Sequence, residues 1–257
     1  MRLGAVVIDP SARDAFPAVP AGGNAAEAAP AFRLLRRDGA LVLEALADPA
    51  LGTLAVDFLR GAAGWRGGAR ALQERLVRAC RARPAADGTP RQVVDGTGGL
   101  GTDAWLLASA GAEVRILEQH PIVRALLADG LARAAPAAPA IRARLALHGD
   151  DTRHWLAGHP ADAPDCLYLD PMYPVRRKRA LGDRRLRLLG ALLAADALPG
   201  DDAKGLVRAG LAAGVGRVVL KCPLRARPEG LPAPNHSLAG RSTRFDVWIS
   251  PSRSPAP

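Results

Sequence analysis

The sequence predicts an α/β fold: a mostly parallel, twisted sheet covered by helices, preceded by a small α+β region. Three observations lead there. From Arg91 onward, short apolar runs of strand length alternate with helix-length segments, the pattern of a parallel sheet wrapped on both faces. The first of these strands runs into a glycine-rich loop, Gly96 to Gly101, that opens a helix. Acidic residues then recur just after strands, which is where such sheets bind ligands.

The first 90 residues have a different texture. Leu3 to Ile8 reads as a short apolar strand, followed by a Pro/Ala/Gly-rich connection through Pro30. Phe32 to Leu46 reads as a hairpin, because Asp38-Gly39 lies between apolar runs and Gly tolerates the positive φ of a tight turn. Leu54 to Leu59 gives another short strand. Ala69 to Arg83 reads as a helix with Leu72, Leu76, Val77 and Cys80 on one stripe. Arg70, Arg75, Arg78 and Arg81 fall mainly off that stripe and read as a solvated basic face. Pro84 to Pro90 is a linker by composition. The expected organisation is therefore residues 1–90 as the small α+β region and 91–257 as the main domain.

Within the main domain, strands are expected at Gln92–Asp95, Glu113–Glu118, Arg144–His148, Cys166–Asp170, Arg217–Lys221 and Phe245–Ser250. Helices are expected at Thr102–Ala110, Ile122–Ala134, Thr152–Ala157, Lys178–Ala195 and Ala203–Ala213.

A chain of 257 residues, 49% hydrophobic and 23% charged, can bury a full core. Its formal net charge is +10, from 35 Lys and Arg against 25 Asp and Glu. Such a surplus attracts polyanions but does not specify a fold, and a bias toward Ala, Arg, Gly and Pro accounts for it equally well. Cys80, Cys166 and Cys222 are scattered in apolar segments, which gives neither a disulfide framework nor metal-ligand spacing. The five histidines form no cluster, so no metal is expected and each reads as a loop or surface residue. No apolar run reaches membrane-span length, and Met1 to Pro10 lacks the apolar core of a signal peptide. The expected setting is the cytoplasm, with no membrane partner.

The loop Asp95-Gly96-Thr97-Gly98-Gly99-Leu100-Gly101-Thr102-Asp103 aligns in two ways. Gly96-x-Gly98-x-x-Gly101 fits a dinucleotide fingerprint. Asp95-x-x-x-Gly99-x-Gly101 fits the first motif of class I, Rossmann-like methyltransferases. Both readings place Glu118, at the end of the next strand, on ribose hydroxyls. Asp95 favours the second reading. An acid facing the crevice opposes a pyrophosphate but suits S-adenosylmethionine, which carries an ammonium and a sulfonium.

The fourth strand ends Asp170-Pro171-Met172-Tyr173-Pro174. This resembles the (Asp/Asn)-Pro-Pro-(Tyr/Phe) motif of methyltransferases acting on planar exocyclic nitrogens. Such an amine is a poor nucleophile, because its lone pair is delocalised into the ring. The Asp170 side chain and a carbonyl near Pro171 would accept its hydrogen bonds and aim the nitrogen at the methyl group. The prolines stiffen the turn, and Tyr173 offers a face for the base. Arg176, Arg177, Lys178, Arg179, Arg184, Arg185 and Arg187 follow, opposed only by Asp183. They read as a phosphate-binding run at the site mouth, with a solvated helix face as the competing reading.

Taken together, these residues resemble the bacterial RsmJ-type enzymes, which methylate guanine N2 in 16S ribosomal RNA. The resemblance covers about Leu54 to Ser250. Its further markers are Val56-Asp57-Phe58, Arg66-Gly67-Gly68, Leu117-Glu118-Gln119-His120-Pro121, Val218-Val219-Leu220-Lys221 and Arg244-Phe245-Asp246-Val247. By motif position it implies cofactor contacts from Thr102, Asp103, Glu118, Gln119, Asp150, Asp151 and Asp170, beside Asp95, Gly99 and Gly101. The chain carries Gly96 and Gly98 where alanine is commoner, Thr102 where arginine is, and Asp150 and Asp151 where small hydroxyl residues are. The partner implied is 16S rRNA or the small ribosomal subunit. The residues also permit a DNA adenine-N6 or cytosine-N4 methyltransferase, although no target-recognition insertion is evident. A non-catalytic RNA-binding protein with a vestigial pocket is a further reading, and an NAD oxidoreductase is disfavoured by Asp95. The role of Lys221 stays open: an RNA contact or a strand-end charge.

Overall fold

A computed structural model describes residues 1–16, 29–60, 68–159, 164–172, 184–196, 202–226 and 230–250. In chain order its strands are β1 (Arg2–Leu3), β2 (Val6–Ile8), β3 (Phe32–Arg37), β4 (Ala40–Ala45), β5 (Thr53–Leu54) and β6 (Gln92–Asp95). They continue with β7 (Glu113–Leu117), β8 (Leu145–His148), β9 (Cys166–Leu169), β10 (Arg217–Pro223), β11 (His236–Ala239) and β12 (Thr243–Ile249). The helices are α1 (Arg75–Cys80), α2 (Thr102–Ser109), α3 (Pro121–Ala134), α4 (Pro139–Arg142), α5 (Thr152–Gly158), α6 (Arg184–Ala195) and α7 (Ala203–Ala212).

The chain forms two compact units. One comprises Met1–Asp57, Ala125–Arg133 and Met172–Gly200; the other comprises Phe58–Arg124, Ala134–Pro171 and Asp201–Pro257. The strands of the first sheet all precede residue 90, and those of the second all follow it.

In the first unit, β1 to β5 form a sheet in sequence order. The β3–β4 hairpin turns on Asp38 (φ 50°) and Gly39 (φ 76°), the two left-handed positions that an Asp-Gly pair tolerates. Asp129, on α3, fastens this hairpin. Its carboxylate accepts the Leu41 amide at 3.0 Å and pairs with Arg36 and Arg133. Two expected strands are corrected. Leu3–Ile8 divides at Gly4 (φ 53°), which reverses the chain so that β1 and β2 pair antiparallel. Leu54–Leu59 is strand only at Thr53–Leu54; the chain then leaves β4.

The second unit holds the larger sheet, ordered β11-β12-β10-β9-β6-β7-β8. Strands β10, β9, β6, β7 and β8 are mutually parallel, and β12 runs antiparallel between β10 and β11. The strand order reverses direction between β6 and β9, and sheets of this kind bind ligands at the carboxyl ends of the strands beside such a switch point. Strand alternation then assigns the faces. Val94, Leu167, Leu169, Val218 and Leu220 pack with Trp155 and Leu156 of α5 and Leu206 and Val207 of α7 as one buried cluster. Asp95, Tyr168 and Lys221 alternate to the opposite face, and register sets Asp95 beside Tyr168 and Tyr168 beside Val219.

The expected helix over Ala69–Arg83 is also corrected. A 3-10 turn over Gly68–Gln73 and α1 replace it, because Glu74 is extended (φ −67°, ψ 140°) and Arg81 turns left-handed. Strand β11 was not expected; its four residues are mostly exposed and take strand form by pairing with β12. Of the expected helix Lys178–Ala195, Arg184–Ala195 is helical and the start lies outside the described residues.

Candidate active site

The loop after β6 is shaped by close backbone approaches. The Gly96 amide donates to the Tyr168 carbonyl, and the Gly98 amide donates to the Leu117 carbonyl, both at 2.9 Å. A Cβ on Gly98 would lie 2.5 Å from Ile116 Cγ2 and 3.0 Å from the Leu117 oxygen, so the loop sits flush on β7. Gly99 (φ 51°) and Gly101 (φ 71°) hold left-handed conformations that glycine supplies without strain. Gly101 immediately precedes α2.

Glu118 clamps this loop. One carboxylate oxygen accepts the Gly99 amide at 2.8 Å, and the other accepts the His120 amide at 2.7 Å. His120 was expected as an ordinary loop or surface histidine. It is 1% exposed, and its Nδ1 accepts the Ile122 and Val123 amides at the start of α3. The caps of a helix need such an acceptor, and the sequence offered no Ser, Thr, Asp or Asn there to announce it.

Asp95 is 2% exposed and accepts the Thr97 amide at 3.1 Å. Burial, with further pressure from Asp103 and Asp170, lifts its carboxyl to about 8. A carboxyl held there is largely protonated near neutrality, which lowers the charge that the sequence reading gave it.

The neighbours of Asp95 form one network across the strand ends. Lys221 Nζ lies 2.9 Å from Asp103 Oδ2 and 2.6 Å from Asp170 Oδ2. The Tyr168 hydroxyl donates to the same Asp103 oxygen at 2.5 Å. The Asp170 amide donates to Thr97 Oγ1 at 2.6 Å, and Thr152 Oγ1 donates to the Gly96 carbonyl at 2.5 Å. Burial raises the Asp170 carboxyl above its ordinary range, with Lys221 opposing. Burial also works against the Lys221 ammonium, but Asp103 and Asp170 outweigh it and raise its pKa. The Tyr168 hydroxyl is pushed well up by burial and by the same two carboxylates. Among the described residues, Asp103 and Asp170 thus place two carboxylates on the one Lys221 ammonium.

The other expected site residues are placed as follows. Thr102 and Asp103 occupy the first turn of α2, with Thr102 half-buried. Gln119 is exposed beside Glu118, and Asp150 is half-buried after β8. Asp151 is exposed and caps α5, accepting the Arg153 and His154 amides at 2.9 and 3.1 Å. Pro171 is buried, and Arg184 and Arg185 are exposed in the first turn of α6. Tyr173, Arg176, Arg177, Lys178 and Arg179 lie outside the described residues.

A doubly wound sheet with a glycine loop at its switch point and carboxylates on its strand ends is the architecture of class I methyltransferases. A family model described as "Putative SAM-dependent methyltransferase" matches residues 24–250, and the chain belongs to that family. Among its relatives, ribosomal RNA small subunit methyltransferase J of Thioalkalivibrio sulfidiphilus is 41% identical over 213 residues, 82% of this chain and 81% of that protein. The protein of the same name from Rhodopseudomonas palustris strain HaA2 is 42% identical over 202 residues, 77% of this chain and 88% of that one. A SAM-dependent methyltransferase from Neisseria gonorrhoeae has a similar structure, with TM-score 0.68 and 29% identity over 97% of both chains.

S-adenosylmethionine is accordingly the cofactor, and the residues present fit it. The Gly98 approach leaves no room for a side chain between loop and sheet, which keeps the loop backbone low at the crevice. The carboxylate surplus around Lys221 suits a ligand that brings an ammonium and a sulfonium.

Proposed function

We propose that this chain transfers a methyl group from S-adenosylmethionine to the exocyclic N2 of a guanine in small-subunit (16S) ribosomal RNA. The observation that carries the reading is the hold on Asp170. Its amide is fixed on Thr97 Oγ1 at 2.6 Å and its Oδ2 on Lys221 at 2.6 Å, while the side chain stays 36% exposed. A carboxylate anchored at both ends, yet open, is what orienting a base amine requires. The names of the relatives at 41% and 42% identity supply the RNA.

In this reading Glu118 and the Gly99–Gly101 backbone hold the cofactor, with Asp103, Gln119, Asp150 and Asp151 around it. When bound, S-adenosylmethionine supplies an electrophilic methyl group on its sulfonium. Asp170 accepts a hydrogen bond from the guanine amine, turns its lone pair toward that methyl and favours the positive charge that develops on nitrogen. Pro171 fixes the backbone of the turn. The base must leave its stack to reach Asp170, and Tyr173 receives its face. The basic run Arg176, Arg177, Lys178, Arg179, Arg184 and Arg185 holds the surrounding phosphates. The cytoplasm is the proposed location; among the described residues no helix is long and apolar enough to cross a membrane.

Transfer of labelled methyl from S-adenosylmethionine to unmodified small-subunit rRNA, run beside duplex DNA, tests this. Label in the rRNA alone supports the reading. Label in DNA alone, or cofactor binding without transfer to rRNA, overturns it.

A further inference from the structure

Lys221 is one of three lysines among 35 basic residues, and it stands at the end of an apolar run, Val218-Val219-Leu220. An ammonium placed there is costly unless it is paired. Its two partners come from different parts of the chain: Asp103 from the first turn of α2, and Asp170 from the end of β9. Both reach the same Nζ through their Oδ2 atoms, at 2.9 and 2.6 Å. Tyr168 occupies Asp103 Oδ2 as well, at 2.5 Å, so Asp103 cannot swing away without breaking two bonds.

We propose that Lys221 is a positioning residue for methyl transfer, tying Asp103 of the cofactor-loop helix to Asp170 of the acceptor turn through one ammonium. The inference rests on the proposed role of Asp170 and deepens it. With Oδ2 committed to Lys221, the carboxylate is fixed in rotation and offers its remaining valence to the base amine. The same ammonium keeps Asp170 an acceptor. Among the described residues, the titratable groups whose charge acts on Asp170 are Asp95 on β6, Asp103 on α2, Tyr168 on β9 and Lys221 on β10, with a minor contribution from Cys222, whose thiol lies on Asp246. Among them the carboxylates favour a proton on Asp170, burial favours it too, and Lys221 opposes both. Removing Lys221 takes away the group that opposes protonation of Asp170, and a protonated Asp170 no longer accepts from an amine at that oxygen.

The test is the pH profile of kcat in Lys221→Met, Lys221→Arg and Asp103→Asn, with cofactor affinity and thermal unfolding measured beside it. Lys221→Met is expected to bind S-adenosylmethionine within about threefold of the parent, a difference well under one pKa unit's equivalent. Its acid limb moves up by about one pH unit or more, so kcat falls about tenfold at pH values below the parent's limb and recovers as pH rises. Lys221→Arg keeps the charge and leaves the limb near its original place. Asp103→Asn removes a like charge from Asp170 and moves the limb the other way, which decides the matter if Lys221→Met fails to fold. A Lys221→Met profile unchanged in shape, or lowered by one factor at every pH, overturns the inference, as does loss of cofactor binding. An Asp103→Asn limb that stays put or rises does the same. Full activity in Asp170→Ala with cofactor still bound removes the proposed function itself. Activity that depends on Asp170 but not on Lys221 removes only this inference.

Discussion

Thr97 Oγ1 accepts the Asp170 amide at 2.6 Å, which joins the loop after β6 to the turn after β9 across the switch point of the sheet. The residue lies among glycines and carries the only side chain in Gly96–Gly101 besides Leu100. Thr97→Val keeps the shape and removes the acceptor. The expected result is a loss of about 1–2 kcal/mol in unfolding free energy, the cost of an unpaired donor in a part-buried place, together with lower kcat. Thr97→Ser retains both. Denaturant unfolding and steady-state transfer check this, and a Val variant equal to the parent in both contradicts it.

Gly98 tests how closely the loop lies on the sheet. A methyl at this position meets Ile116 Cγ2 at 2.5 Å and the Leu117 oxygen at 3.0 Å, and a β-branched neighbour has little freedom to move. Gly98→Ala is expected to cost about 1–3 kcal/mol of stability and to weaken cofactor binding. Adding Ile116→Val should return little of that loss, since valine keeps the Cγ2 methyl that the new side chain meets. An Ala variant as stable as the parent would show that the loop stands higher than described.

Asp95 gives the protein a pH signature. Burial holds its carboxyl near 8 in the folded chain, whereas an unfolded aspartate titrates at about 3.9. Between those values the unfolded state has released a proton that the folded state keeps. Stability attributable to Asp95 therefore falls as pH rises from about 4 to 8 and levels off above. Asp95→Asn mimics the protonated form and can still accept the Thr97 amide. Its unfolding free energy should fall less steeply than the parent's between pH 5 and 8.5. Equal slopes in urea titrations would contradict the burial of this group.

Glu118 spends both oxygens on the loop, at 2.8 Å to the Gly99 amide and 2.7 Å to the His120 amide. Glu118→Ala removes the clamp and the proposed ribose acceptor together. Charge-assisted hydrogen bonds of this kind contribute about 1.5–3 kcal/mol each, so cofactor affinity is expected to drop about 10- to 100-fold. Isothermal titration with S-adenosylmethionine measures it directly, and an unchanged Kd would remove Glu118 from the pocket.

How much of this was legible in the sequence depends on how local the cause is. The Asp38-Gly39 turn is set by residues next to one another, and it appears as expected. The six expected strands of the main domain are found because apolar runs of that length bury themselves regardless of neighbours. Strand β11 is stabilised almost wholly by its partner β12, and its own residues carry little apolar signal. Glu74 and Arg81 break a stripe that reads as one helix, through backbone angles that composition does not announce. The network at the strand ends is the least local feature. Asp103, Asp170 and Lys221 meet only once β9 lies beside β10 and α2 covers them, so Lys221 reads in sequence as an RNA contact or a charge ending a strand. Burial of Asp95 is likewise a property of packing, and it changes what an acid at that position can do.

The most direct measurement is nucleoside analysis of small-subunit rRNA after transfer of labelled methyl by the parent chain and by Asp170→Ala. Labelled N2-methylguanosine from the parent, and none from an Asp170→Ala variant that still binds S-adenosylmethionine, is the expected result. Label on another nucleoside, or N2-methylguanosine formed equally well without the Asp170 carboxylate, contradicts the role given to the strand-end site.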